Sequence, residues 1–421
     1  MRLRLLGLDI RGKASARRIL EQPAWQARLE VAEFNPRRVM QKAGINPPQT
    51  ADDKVLGRAS LGLEAHGDTR SARIEPIRIV LDDTRLDGSV RLPDLATGAV
   101  RFDLAVDGID LDRYLPPETD STSGQGGAGG RPAGTANGTE NGTATDDRIE
   151  LPLDTLRALD VAGRFRIERL KAFRLRTQKA DLKLSARNGL LRIAPLTARL
   201  YEGGIRLEAS LDARGRTPKY ATGLKLTGVQ SGPMIRDLFD DEYLSGRADM
   251  SLAVHTAGDR VSTLKRGLAG KAAFAFGEGS VNNSELAHQV NQVIALLLNQ
   301  PYDPSVKHIG FTRLTASARI RNGIVDNRDL ELRARKFTVR GLGTIDLPAE
   351  RIDYELRLFK AGGKTYAPIR IQGPLASPGF RFDQEAWLRQ RLEGKKKAVE
   401  EKAKKRLEEE LGERFKGLFG R

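Results

Sequence analysis

The chain has 421 residues, 39% of them hydrophobic and 30% charged, so nearly every third side chain carries a charge. That balance argues against a thick globular core and suits a thin sheet with one wet face. The net charge of +16 favours acidic partners such as nucleic acid or anionic lipid head groups, although solubilisation alone accounts for it equally well, and the lack of Cys excludes thiol catalysis, disulfides and thiolate metal sites.

Residues Met1 to Ile10 largely alternate apolar and polar side chains. They read as a strand, with neither the continuous apolar core nor the small-residue cleavage site of a signal peptide. No stretch of the chain reaches the roughly 20 apolar residues that span a bilayer.

The same period-two pattern returns along the chain. Val100, Phe102, Leu104 and Val106 alternate with Arg101, Asp103, Ala105 and Asp107. Phe165 and Ile167 alternate with Arg164, Arg166 and Glu168. Ile205 and Leu207 flank Arg206, and Leu224 and Leu226 flank Lys225. Ile352, Tyr354, Leu356 and Leu358 alternate with Asp353, Glu355 and Arg357. In a strand such neighbours go to opposite faces, so each run has an apolar side and a charged side. Frequent Gly, Asn-Gly and Pro turns divide the runs, which predicts a mainly β protein built as a long antiparallel meander.

Between about 118 and 146 the sequence is a low-complexity Ser/Thr/Gly/Ala/Asn tract that cannot bury apolar surface, and it predicts a flexible linker. The expected organisation is therefore 1–117 and 149–383 as β-rich parts, 118–148 as linker, and 384–421 as a charged amphipathic helix. Arg187-Asn188-Gly189 and Arg321-Asn322-Gly323 each lead into an apolar strand, a second strand and a glycine break. Asn-Gly favours a type I′ hairpin turn, and the repetition points to an array of hairpins.

Two helices interrupt the pattern. From about Ser284, a plausible N-cap, to Asn299, residues Leu286, Val290, Val293, Ile294, Leu297 and Leu298 form one apolar stripe, suited to covering a face or end of the sheet. From about Gln384 onward, Leu388, Leu392, Val399, Ala403, Leu407, Leu411, Phe415 and Leu418 make a narrow stripe among Lys, Arg and Glu. Leu411, Phe415, Leu418 and Phe419 are the candidates for contact with an anionic membrane surface; a solvated helix or a partner coiled coil are the alternatives.

Catalytic signatures are missing. There is no GxSxG, no phosphate-binding GxxxxGK[ST], and no dinucleotide fingerprint after a strand. The four His residues are too widely spaced for a metal site. Asp82-Asp83 and Asp240-Asp241-Glu242 read as turn residues. No helix-turn-helix, zinc-finger or RNA-binding motif supports nucleic acid, and basic residues alternate with acidic ones along most strands. The chain is expected to be non-enzymatic and to need no cofactor.

Several phrases resemble the AsmA family: Leu81 to Val90, Leu104 to Leu115, Ala198 to Gly204, Leu244 to Ala248, Leu268 to Gly270 with Phe274 to Asn282, and Ile371 to Leu375 with Pro378. Together they cover most of the chain from Val31 to Asp383. The resemblance implies a long curved β-sheet trough, an inner-membrane anchor in a Gram-negative bacterium, a body in the periplasm, and a part in outer-membrane homeostasis and lipid transport. Such an anchor is not found here, since the chain starts on what reads as an internal strand. Phospholipid or another membrane lipid is the expected partner, with outer-membrane protein precursors, bound by strand addition, as the alternative. A trough of roughly 20 strands ~4.8 Å apart would be on the order of 95 Å long. Val100, Phe102, Leu104, Ile205, Leu207, Leu224, Leu226, Tyr354, Leu356 and Leu358 are the candidates for its lining, although any of them could instead pack beneath a helix.

Overall fold

A computed structural model describes residues 1–17, 21, 23–117, 147–282, 285–305, 308–363 and 365–389, and near the C-terminus 392–393, 400–401 and 403–405. The candidates Leu411, Phe415, Leu418 and Phe419, the expected cap Ser284 and most of the low-complexity tract lie outside the described residues. The strands join in one open, mixed 22-stranded sheet. The chain forms two compact units: residues 1–275 with 319–324, and residues 276–318 with 325–421.

In the first unit the strands follow one another as hairpins: β1 (Arg2–Leu5), β2 (Leu8–Arg17), β3 (Ala24–Phe34), β4 (Ala59–Gly67), β5 (Ala72–Leu81), β6 (Thr84–Leu92) and β7 (Val100–Val106). A short β8 (Ile109–Asp110) and a 3-10 turn at Leu111–Tyr114 follow. Then come β9 (Asp160–Ala172), β10 (Leu175–Arg187), β11 (Leu190–Leu200), β12 (Gly203–Asp212), β13 (Lys219–Gln230), β14 (Leu244–Ala257) and β15 (Ala269–Asn282), the last passing into the second unit.

Among the described pairings the expected antiparallel ladder is present, with a parallel exception at β9. β9 pairs parallel with β7 and β8, an arrangement that a two-residue hairpin cannot make and that needs a longer crossover in the sequence. The described end of that connection is tied down: Asp147 accepts from the Ser262 amide at 2.8 Å, and Arg148 pairs with Asp259 at 3.1 Å.

Short helices sit at strand ends. α1 (Pro36–Lys42) is capped by Asn35, whose side chain accepts from the Arg38 amide at 2.9 Å. α2 (Leu153–Ala158) touches β10 and β11, α3 (Ser231–Phe239) touches β10 and β14, and α4 (Val261–Gly267) touches β14.

Both Asn-Gly pairs form the expected tight turns, with positive φ at Asn188 and Gly189 and at Asn322 and Gly323. Phe173-Arg174 and Tyr201-Glu202 make turns of the same sign without any glycine or asparagine. Composition gave no hint of these; the flanking strand pairs hold them in place.

The second unit contains α5 (Glu285–Leu298), β16 (His308–Phe311), most of β17 (Arg313–Arg321) and β18 (Ile324–Arg333), whose joining turn at 319–324 belongs to the first unit, and β19 (Phe337–Asp346), β20 (Arg351–Lys360), β21 (Tyr366–Pro374) and β22 (Gly379–Phe382). α5 follows the predicted boundaries and packs on β16, β20, β21 and β22. Val290, Val293 and Ile294 are buried, as the stripe required. Facing strands contribute Phe311, Leu332, Val339, Leu358 and Ile369, so this unit has a filled core. Residues 384–389 are helical. There Trp387, not singled out by the stripe, is buried against Phe382, whereas Leu388 and Leu392 are exposed.

Candidate functional site

Strand register turns the local alternation of the first unit into a continuous surface. Leu29 of β3 pairs with Leu63 of β4, Leu63 with Ile77, Ile77 with Gly88, and Gly88 with Leu104 of β7. Across the parallel seam Leu104 pairs with Phe165, and the row continues through Leu182, Leu196, Leu207 and Leu224 to Leu252 of β14. Every side chain in this row is apolar or absent. At about 4.8 Å per strand, the row is on the order of 50 Å long.

The opposite face is charged and largely self-compensated. Arg28 donates to Glu64 at 3.0 Å, Arg166 to Asp103 at 2.7 Å, and Arg164 to Asp181 at 2.8 Å. These pairs are partly to largely exposed, so each adds little stability, but together they keep that face wet.

The leucines of the row are half-buried. Neighbours on the same face cover their flanks, and α2, α3 and α4 pack mainly on β10, β11, β13 and β14. A sheet face closed by a second layer would bury such residues fully, as the second unit does.

The candidate residues therefore fall into different settings. Val100, Phe102, Leu104 and Leu207 are half-buried on the apolar face, with the Phe102 and Phe165 rings 4.7 Å apart. Ile205 and Leu224 are also half-buried, but they pack against a small cluster of Leu200, Leu226 and Val229, joined by Met234 of α3. Leu226 is 6% exposed. In the second unit Leu356 and Leu358 are core residues at 8% and 0% exposure. The Tyr354 hydroxyl donates to Asn327, whose amide in turn donates to the Ser317 carbonyl at 2.7 Å. Leu29, Leu63, Ile77, Leu182, Leu196 and Leu252 belong to the row and were not among the candidates. Their alternation in the sequence was a usable signal, but only register shows that they line up.

One end of the strands is closed by two polar devices. Asp82, at φ +52°, is buried under residues 50–58. Its carboxylate accepts from the amides of Leu56, Gly57 and Arg58 at 2.8, 2.9 and 3.1 Å and from the Tyr114 hydroxyl at 2.8 Å. Burial pushes its pKa up, but the Tyr114 hydroxyl and the three amides outweigh burial and hold it below the usual carboxylate range. Burial and the Asp82 charge both push Tyr114 up. The expectation that Asp82-Asp83 belongs to a turn agrees with this geometry.

Farther along the same edge, Asp237 of α3 accepts both Arg176 donors, at 2.9 and 2.7 Å, and the Tyr201 hydroxyl. Arg176 and then Tyr201 lower the Asp237 pKa, and this link docks α3 over the ends of β10 and β11.

Among the described residues no group of His, Asp and Glu has the arrangement to hold a metal ion, and no helix is long and apolar enough to cross a membrane. What the apolar face can do chemically is hide hydrocarbon from water.

Residues 4–330 match the AsmA family. No curated protein and no solved structure matches the chain.

Proposed function

The chain belongs to the AsmA family, and on that premise we propose that it is a non-enzymatic lipid-handling protein of outer-membrane biogenesis. The observation that carries this reading is the row from Leu29 to Leu252, in which every side chain is apolar apart from the gap at Gly88, left partly exposed where a core would bury it. Each methylene moved from water onto such a surface gains about 0.8 kcal/mol. A diacyl lipid with on the order of 30 methylenes thus has up to roughly 24 kcal/mol opposing its free passage through water. A face of ~50 Å exceeds the ~15 Å half-thickness of a bilayer's hydrocarbon core, so acyl chains fit along it with room to move. The charged reverse face keeps the loaded protein in water.

In this reading the lining is Val100, Phe102, Leu104, Ile205, Leu207 and Leu224 with their register partners. Leu226, Leu356, Leu358 and Tyr354 serve packing. The place of action we propose is the periplasm, at the inner membrane. Mass spectrometry of a solvent extract of the purified chain tests the reading: phospholipid in stoichiometric amount is expected. A lipid-free protein that also takes up no fluorescent acyl probe overturns it.

A further inference from the structure

A cleft of about 650 Å³ opens at the strand ends of β2 to β6, remote from α3. Its lining includes Ser15, Arg17, Gln26, His66, Arg73 and Arg91. Most of these form one register row: Ser15 pairs with Gln26, Gln26 with His66, His66 with Arg73, and Arg73 with Arg91. Arg91 pairs in turn with Arg101 of β7.

Three arginines thus stand directly across from one another on adjacent strands, with Cβ atoms roughly 5 Å apart, an arrangement that costs stability unless something compensates it. The outer two have carboxylates. Arg73 pairs with Glu75, and Arg101 with Asp160 at 2.7 Å. Arg91, exposed between them, has no carboxylate partner among the described residues, and neither has Arg17. The one lining carboxylate, Asp68, is spent on its own turn, accepting from the amides of Arg70 and Ser71 at 2.7 Å each. The cleft therefore combines surplus guanidinium charge with amide, hydroxyl and imidazole groups. Its lining also includes the apolar Ala24, Leu92 and Pro93.

We propose that this cleft binds a phosphate ester, with Arg91 and Arg73 on the phosphate oxygens and the apolar wall against the organic substituent. Guanidinium groups match phosphate in bidentate fashion, and two of them on neighbouring strands suit an anion with several acceptor oxygens better than a single carboxylate. The site lies on a different part of the sheet from the leucine row and does not depend on acyl-chain binding. A soluble organic phosphate and the head group of an anionic glycerolipid share the chemistry.

Calorimetric titration of the full chain with inorganic phosphate, with glycerol 3-phosphate, and with phosphatidylcholine vesicles with or without phosphatidylglycerol tests it. Binding of glycerol 3-phosphate identifies a soluble ester. Binding of the phosphatidylglycerol vesicles alone identifies a lipid head group. In either case Arg91→Ala lowers the affinity roughly tenfold or more, and Arg17→Ala lowers it less. Without ligand, Arg91→Ala also melts at the same or a higher temperature than the parent, because a like-charge contact is gone; a merely structural arginine would not behave so. No saturable binding in any arm, unchanged affinity in Arg91→Ala, or inorganic phosphate bound as tightly as the esters overturns the proposal. Lipid extraction reports separately on the apolar face.

Discussion

Phe102 and Gly163 face each other across the parallel seam, and the Phe102 ring occupies the space a side chain at 163 would need. A Cβ at Gly163 would fall 2.4 Å from the ring. The same ring meets Phe165 at 4.7 Å, so the glycine lets an aromatic pair bridge the parallel seam between β7 and β9. Gly163→Ala is expected to destabilise the first unit by about 1–3 kcal/mol through overpacking. Phe102→Leu should recover part of that loss in the double variant, measured as a non-additive term in urea unfolding. Strict additivity would show that the contact does not constrain the seam.

The partly exposed row and the filled core predict losses of different size for the same substitution. Leu358→Ala should cost about 2–5 kcal/mol, because it leaves a cavity among fully buried neighbours. Leu207→Ala should cost less, about 1–2 kcal/mol, since that side chain keeps part of its surface in water. Denaturant midpoints compare them directly. Equal losses would mean that the face of the first unit is covered.

Leu207→Asp with Leu224→Asp places charge in the middle of the row. The expected outcome is a folded protein by circular dichroism that carries at most one tenth of the parental lipid. Retention of a full lipid load by this variant would remove the row from the binding surface.

Asp82 makes the closure of the strand ends sensitive to acid. Its folded pKa is depressed below the unfolded value of about 3.9, so its stabilisation is complete above that pH and is lost as pH falls through the lower folded value. Asp82→Asn should cost about 1–3 kcal/mol at pH 7, because buried amide donors lose a charged acceptor. The gap between variant and parent should shrink as unfolding is measured at successively lower pH below 4. A gap that stays constant with pH would assign the loss to geometry alone.

Asp237 anchors α3 through Arg176 and Tyr201. Asp237→Ala is expected to speed amide hydrogen exchange across Ser231–Phe239 several-fold, while exchange in β4 to β6 stays unchanged. Acidification through the lowered Asp237 pKa should loosen α3 in the same way.

Much of this architecture was legible in the sequence because it depends on neighbours along the chain. Alternation such as Val100, Phe102, Leu104 against Arg101, Asp103 assigns side chains to two faces whatever the strand pairs with. Asn188-Gly189 and Asn322-Gly323 name their turns because both residues tolerate positive φ. The stripe of α5 locates a helix with one apolar side. The phrases from Leu81 to Leu115 and from Ala198 to Ala248 carry the family.

Tertiary structure alone decided which apolar faces remain open. Leu207 and Leu358 stand in equally alternating runs, yet one is partly exposed and the other fully enclosed: α5 packs over β16, β20, β21 and β22 in the second unit, while α2, α3 and α4 of the first pack mainly on β10, β11, β13 and β14. The parallel seam, the arginine row and the turn at Tyr201-Glu202 were equally hidden. Each is set by register between strands distant in sequence, and period-two alternation records which side a residue faces but not what stands across from it.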